Sequence, residues 1–290
     1  MARRSLEGYA FLLPTLIILG VFVYWPIVRS FDLSLTRVAP FGSQTIDVGF
    51  ENYRRLLGSA EWRESLIVSM IFMAGTVAGS VGISVFLAIA LSYPSRLSWF
   101  HRLLIFSPVV ISSAVVGVLW RWLYNPIVGY LNYWLSLVGI EGPNWLADKD
   151  WALYGVMMAV IWSRIGFNTI IALAGVQNVD PSLYEAAKID GAGLWARIRY
   201  ITLPLLAPTL FFLLIVNVIF SLQVFGEINI LTDGGPGRST TTLVYSVFID
   251  AFVGTPKRGF ASAQAFLLAL IIIIISVLQF RYLARRVHYR

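Results

Sequence analysis

Six times along the chain, apolar residues run on for about twenty positions, the length a helix needs to cross a bilayer's hydrocarbon core. The runs fall at about 9–28, 66–91, 103–123, 152–174, 205–225 and 261–283. A soluble fold of 290 residues could not hide so many of them. The composition agrees, with 58% hydrophobic and only 13% charged residues, against about 25% charged in ordinary globular chains. The expected fold is therefore all-α, a single polytopic membrane domain over 1–290 with six transmembrane helices. The first run exceeds the roughly 7–15 apolar residues of a signal sequence, and no small-x-small cleavage site follows it. An uncleaved first helix is expected, with Pro14 and Pro26 near its ends.

Between the runs lie three larger polar stretches, 30–64, 124–151 and 226–259, and short basic turns near Ser95, Arg96, His101 and Arg102. The alternating charges of the first stretch (Arg37, Asp47, Glu51, Arg54, Arg55, Glu61) suit an ordered hydrophilic surface. Trp120, Trp122, Trp134, Trp145 and Trp151 cluster around the second, the density expected of an interfacial aromatic belt. In the second run, Gly75, Gly79 and Gly82 either let another helix approach closely or reflect the ordinary tolerance of membrane helices for glycine.

Charge sets the orientation. One side collects eleven basic residues (Arg3, Arg4, Arg96, Arg102, Lys188, Arg197, Arg199, Arg281, Arg285, Arg286, Arg290) against Glu7, Asp180, Glu185 and Asp190. The other side carries nine basic and eleven acidic residues. The positive-inside rule places the first side, with both termini, in the cytoplasm. The formal net charge of +7 is thus a membrane signature, and no nucleic-acid partner is expected.

Catalytic chemistry finds little support. Cysteine is absent, which excludes disulfides, thiol catalysis and cysteine-based metal sites. His101 and His288 have no metal-ligand partner at helical spacing, and neither HExxH nor Gly-x-Ser-x-Gly occurs. The stretch Gly234-Gly235-Pro236-Gly237-Arg238-Ser239-Thr240 lacks the P-loop lysine and spacing and reads as turn chemistry. No cofactor is expected, and ATP would have to be bound by another chain.

Polar residues inside the spans remain to be explained. Arg164 falls near the middle of the fourth run, where an arginine costs about 2.5–3.5 kcal/mol on insertion scales and is normally aimed at a cavity or partner. Asn168 follows one turn later on the same face, Asn217 and Ser221 repeat that spacing in the fifth run, and Gln223 lies close by. These residues either line a polar path or hold helices together by interhelical hydrogen bonds; Arg164 fits the path, and an anionic solute, better.

The segment Asp180 to Pro208, DPSLYEAAKIDGAGLWARIRYITLPLLAP, reads as two short helices. Asp180 can cap the first, Pro181 suits its first turn, Gly191 can break it, and Asp190 can cap the second. An amphipathic helix on the membrane surface would satisfy that much. The spacing says more: Glu185-Ala186-Ala187, three residues, Gly191, nine residues, then Ile201-Thr202-Leu203-Pro204. This 180–204 segment resembles the EAA motif of permease subunits of bacterial ABC importers. The resemblance implies a coupling helix docked on a cytoplasmic ATPase, with Glu185, Ala186, Ala187, Asp190 and Gly191 at the contact.

Trp162 to Gly166, Leu231-Thr232-Asp233-Gly234-Gly235-Pro236, Thr240 to Thr242, and Gly259-Phe260-Ala261-Ser262-Ala263 extend the likeness to carbohydrate-importer permeases related to the maltose system. The chain lacks the additional helices and large insert of the larger maltose subunit. It is more similar to the compact A-type subunits of glycerol-3-phosphate importers, as are Pro40-Phe41-Gly42 and Gln279-Phe280-Arg281-Tyr282. The resemblance implies an inner-membrane protein, half of a pathway for a sugar or glycerol-3-phosphate. Its implied partners are a second homologous permease, two ATP-binding subunits, an extracytoplasmic solute-binding protein and membrane lipid. Two rivals differ in class. A membrane enzyme acting on lipid would need clustered carboxylates, yet Glu185 and Asp190 do not share a helix face; a secondary transporter more often shows internal repeats and discontinuous helices, and the sequence shows neither clearly.

Overall fold

A computed structural model of the chain describes residues 2–38, 45–93, 96 and 98–283. Pro40, Phe41 and Gly42, Ser95, and the tail with Arg285, Arg286, His288 and Arg290 lie outside the described residues. The chain is overwhelmingly helical, as expected. Four helices are long and apolar enough to cross a membrane: Phe11–Ser34, Ala60–Ser92, Ala152–Gln177 and Arg258–Tyr282. Two bent pairs complete the six, Trp99–Val110 with Ser113–Leu123 at 108° and Leu194–Leu205 with Ala207–Ser221 at 66°.

The bends correct two expected spans. The run 103–123 is not one helix: α5 (Ser98–Phe106) passes into a 3₁₀ turn at Ser107–Val110, and α6 (Ser113–Leu123) starts afresh. Pro108 opens the 3₁₀ turn, Ile111 is extended, and the Ser112 side chain accepts from the Val115 N–H as an N-cap. The run 205–225 likewise ends early, since α12 (Ala207–Ser221) stops four residues short.

Prolines elsewhere are accommodated without a break. The first crossing is α1 (Ala2–Leu19) and α2 (Trp25–Ser34) joined by a π-helical turn, Gly20–Tyr24. A second π turn, Ile198–Thr202, joins α10 (Leu194–Arg197) to α11 (Leu203–Leu205). Each turn contains the carbonyl four residues before a proline, Pro26 or Pro204, where the ring would clash in a regular helix. Each closes instead by an N–H to the carbonyl five residues back, Trp25 to Gly20 and Leu203 to Ile198.

The chain divides into two compact units. One comprises Met1–Arg63 and Ser246–Leu270. Here the described residues after α2 form short regular elements. A short antiparallel hairpin of β1 (Thr36–Val38) and β2 (Thr45–Asp47) leads into α3 (Glu51–Gly58). Buried Asn52 donates to the carbonyls of Ser34 and Thr36 at 2.8 and 2.9 Å, and the Ser34 and Tyr53 hydroxyls share a 2.8 Å bond. The stretch 226–259, expected as loop, also holds helices. Its last, α14 (Leu243–Phe252), carries Asp250, which accepts from Gln264 of α15 (Arg258–Leu283) at 2.6 Å.

The second unit comprises Glu64–Tyr245 and Ile271–Arg290. Its axis is α4 (Ala60–Ser92), with buried small polar residues at Ser65, Ser69, Thr76, Ser80 and Ser84 along one stripe. Gly75 and Gly79 let α8 (Ala152–Gln177) approach; a Cβ on either would meet Met157 or Ile161 within 3 Å. Gly82 faces open space, so it is no part of that contact. Val77, Val81 and Ala88 pack with Ala172 and Leu173 of α8 and Leu213, Val218 and Leu222 of the fifth crossing. The stretch 124–151 also folds, around α7 (Tyr130–Leu137). Trp120, Tyr124, Trp145 and Trp151 form a continuous aromatic stack with centroid spacings of 5.2–5.5 Å, and the Tyr124 hydroxyl donates to Gly155 O at 2.7 Å. Trp145 of the expected belt is therefore interior packing, while Trp151 stays exposed and so do Trp122 and Trp134 against Tyr130.

Candidate functional site

Two places in the second unit gather the residues singled out above. The first is the segment after α8. Asp180 caps α9 (Pro181–Ile189), its carboxylate accepting from the Ser182 N–H at 2.9 Å. Bonds from the Ser182 backbone and side chain hold Asp180 below the usual carboxylate range. The cap is therefore intact above the ordinary carboxylate pKa and weakens only as pH falls through the lowered value.

Gly191 ends the helix at φ +79°, and the Ala192 N–H returns to Ala187 O at 2.8 Å. Asp190 does not cap the second helix. It is the C-cap residue that follows the first, and Gly193 stands before α10 with no side-chain cap. The three-residue link Gly191-Ala192-Gly193 leaves Asp190 too early in the chain to cap α10. The Tyr184 hydroxyl bonds Thr202 Oγ1 at 3.0 Å, tying α9 to the π turn.

Glu185 and Ala186 are exposed, Ala187 is half-buried, and among the described residues Glu185 forms no ion pair, with Lys188 or otherwise. Large apolar side chains stand out around them, Ile189 at 87% exposure and Trp195 at 80%. A small carboxylate-bearing knob ringed by bare hydrophobics is a surface shaped for a partner. Gly191→Ala should destabilise this turn by about 1–2 kcal/mol, because the left-handed conformation penalises a Cβ even in open space. Faster proteolysis between 180 and 205 would report it.

The second place is the middle of α8. Asn168 and Asn217 are joined by reciprocal amide bonds of 3.0 and 2.9 Å, and Asn217 also donates to Leu213 O. Ser80 donates to Asn217 Oδ1 at 3.4 Å and Ser84 to Ile165 O at 3.1 Å. The amides thus satisfy one another across α4, α8 and α12. Ser221 is buried beside them and donates to its own helix. Gln223 is not with them: it lies on the exposed turn beyond α12, because the helix ends at Ser221.

Arg164 lies one turn from Asn168, its guanidinium over the Phe220 ring. Among the described residues it forms no ion pair and donates no hydrogen bond. It lines a cavity of about 140 Å³ that also receives Ser163, Ser113 and Glu227. Glu227, on α13 (Gly226–Leu231), is 5% exposed and escapes a reading by charge alone, which counts it with a polar loop. Its flanks, Phe225, Ile228 and Ile230, are the signal that it belongs inside. Close glycine contacts fix the cavity walls. Gly226 packs on Ser113, Gly117 on Ile230, and Gly166 on Val109 and the Ile105 carbonyl. Arg121 donates to Ile230 O at 3.3 Å, further pinning α13 to α6.

Residues 80–289 match the family described as binding-protein-dependent transport system inner membrane component. The chain belongs to that family. The permease is 36% identical over 289 residues to the sn-glycerol-3-phosphate transport system permease protein UgpA of Pectobacterium atrosepticum, covering 99% of this chain and 97% of that one. It is 37% identical over 282 residues to UgpA of Rhizobium meliloti, covering 97% and 96%. In fold it is similar to a chain of a bacterial ABC transporter that imports alginate, with a TM-score of 0.84, 24% identity, and 98% and 96% coverage. The permease is thus an inner-membrane transport component, and the enzyme and secondary-transporter alternatives fall away.

Proposed function

We propose that the whole chain acts as one permease domain of an ABC importer for glycerol-3-phosphate, forming half of the translocation pathway. A second, homologous permease supplies the other half. Two ATP-binding subunits drive it from the cytoplasm, where both termini lie, and a solute-binding protein delivers substrate from outside. Arg164 contacts the phosphate. Asn168, Asn217 and Ser221 brace the wall behind it, and Gln223 meets solute at the outer end.

One observation carries the substrate reading: a cationic side chain at mid-span, free of protein ion pairs among the described residues, lining a cavity of about 140 Å³. An arginine is well matched to a phosphate because its planar donors pair bidentately. The permease relatives of similar length bearing a glycerol-3-phosphate name support it. The exposed α9 supports the coupling reading. Glu185 and the slim Ala186-Ala187 face enter a groove of the ATPase, and the Tyr184–Thr202 bond passes its motion to the fifth crossing.

The test is reconstitution of the permease with its partner subunits in liposomes. Glycerol-3-phosphate delivered by the binding protein should be taken up and should stimulate ATP hydrolysis. Glu185→Ala should cut that stimulation several-fold while the subunits still co-purify. Undiminished stimulation would remove Glu185 from coupling, and uptake of a neutral sugar in place of glycerol-3-phosphate would refute the substrate.

A further inference from the structure

The cavity beside Arg164 is walled by opposite charges that do not neutralise each other. Arg164 enters from α8 and Glu227 from α13. No ion pair within 4.0 Å joins them among the described residues. A buried carboxylate in apolar surroundings is costly unless something bonds to it. Glu227 accepts from its own backbone N–H and has no hydrogen bond to another side chain among the described residues, so most of its acceptor capacity stays open. Both side chains line the same cavity, with polar groups left for a solute to meet.

We propose that Glu227 is a specificity residue: it accepts hydrogen bonds from the hydroxyl groups of a small polyol phosphate whose anionic end is held by Arg164. This rests on the reading of Arg164 as the phosphate contact. The chemistry is complementary at both ends, since an ionised carboxylate only accepts and a guanidinium only donates. A solute spanning the two must present an anion at one end and donors at the other. A bare anion leaves Glu227 unsatisfied, and a neutral sugar leaves Arg164 so. Size points the same way. A volume of about 140 Å³ gives room for a small solute such as a three-carbon phosphate. Ser163, whose hydroxyl donates to Val160 O at 2.8 Å, leaves its lone pairs available to further solute hydroxyls. The glycine contacts of α13 on α6 keep Glu227 from swinging away.

The experiment is equilibrium binding to the purified, fully assembled importer without its binding protein, so that the permease alone selects. Glycerol-3-phosphate and n-propyl phosphate carry the same charge, and only the first has hydroxyls. The unaltered complex should prefer glycerol-3-phosphate about tenfold. Glu227→Met, similar in size with no acceptor, should abolish that preference by weakening only glycerol-3-phosphate. Glu227→Gln, which keeps one acceptor, should fall between. Arg164→Met should weaken both ligands alike.

An unchanged preference in Glu227→Met, with both ligands weakened by Arg164→Met, would overturn the inference and leave the phosphate reading standing. Unweakened binding in Arg164→Met, or no binding by the unaltered complex, would overturn both. If Glu227→Met failed to assemble, Glu227→Gln would decide by the same ratio. Restored assembly and an unchanged preference in Arg164→Met/Glu227→Met would show a plain charge pair instead.

Discussion

Asn217→Ala should destabilise the permease by about 2–3 kcal/mol, seen as a lowered midpoint in thermal unfolding of the detergent-solubilised complex. Each interhelical hydrogen bond in a membrane is modest, averaging about 0.6 kcal/mol in double-mutant cycles. The two reciprocal bonds with Asn168 would therefore account for little more than 1 kcal/mol. The larger part comes from what is left behind. Asn168 is fully buried, and truncating its partner strands both a donor and an acceptor, at about 1–3 kcal/mol for an unsatisfied buried group. This predicts strong non-additivity. Asn168→Ala/Asn217→Ala should cost well under the sum of the single variants, because the orphan is removed with its partner. Additive losses would show that the two amides act separately, and would favour the view that each faces the solute path.

The sequence alone makes the spans and the 180–204 segment legible for different reasons. Apolar length is a one-dimensional property, so α4, α8 and α15 appear close to their final bounds. Capping chemistry is likewise local, and it leads correctly to α9, to the break at Gly191 and to Asp180 as its cap. Failures occur where geometry is not local. The bend between α5 and α6 depends on an extended Ile111 inside a continuous apolar run, although Pro108 and the Ser112-Ser113 pair are readable as a stop and a start. Gln223 counts as a neighbour of Ser221 only if α12 continues through it. Glu227 is the costliest miss. Charge counting by loop assigns it to a surface, whereas it is α13 folding back onto α6 through Gly117 and Gly226 that brings it opposite Arg164. Nothing within one segment announces a contact made between segments more than sixty residues apart.

Glycine shows the same limit and gives the second large effect. Gly166→Ala should cost about 3 kcal/mol and remove transport, whereas the same change at Gly82 should be neutral or slightly stabilising. Helix propensity favours alanine at both positions by roughly 1 kcal/mol, so the difference lies entirely in what the new methyl meets. At Gly82 it meets nothing within 4 Å. At Gly75 it would meet the Met157 thioether at 2.8 Å, a flexible group able to turn aside at small cost. At Gly166 it would lie 2.7 Å from the Ile105 carbonyl oxygen and 3.3 Å from the Phe106 Cα. Backbone cannot rotate out of the way, so α8 must separate from α5, and overpacking of that kind costs about 1–3 kcal/mol or more. The separation also shifts Arg164, two residues away, relative to Glu227. Thermal unfolding of the two alanine variants, together with glycerol-3-phosphate uptake, tests both consequences. Equal midpoints for Gly82→Ala and Gly166→Ala would mean that α5 yields freely, and that the cavity wall is set by something other than this contact.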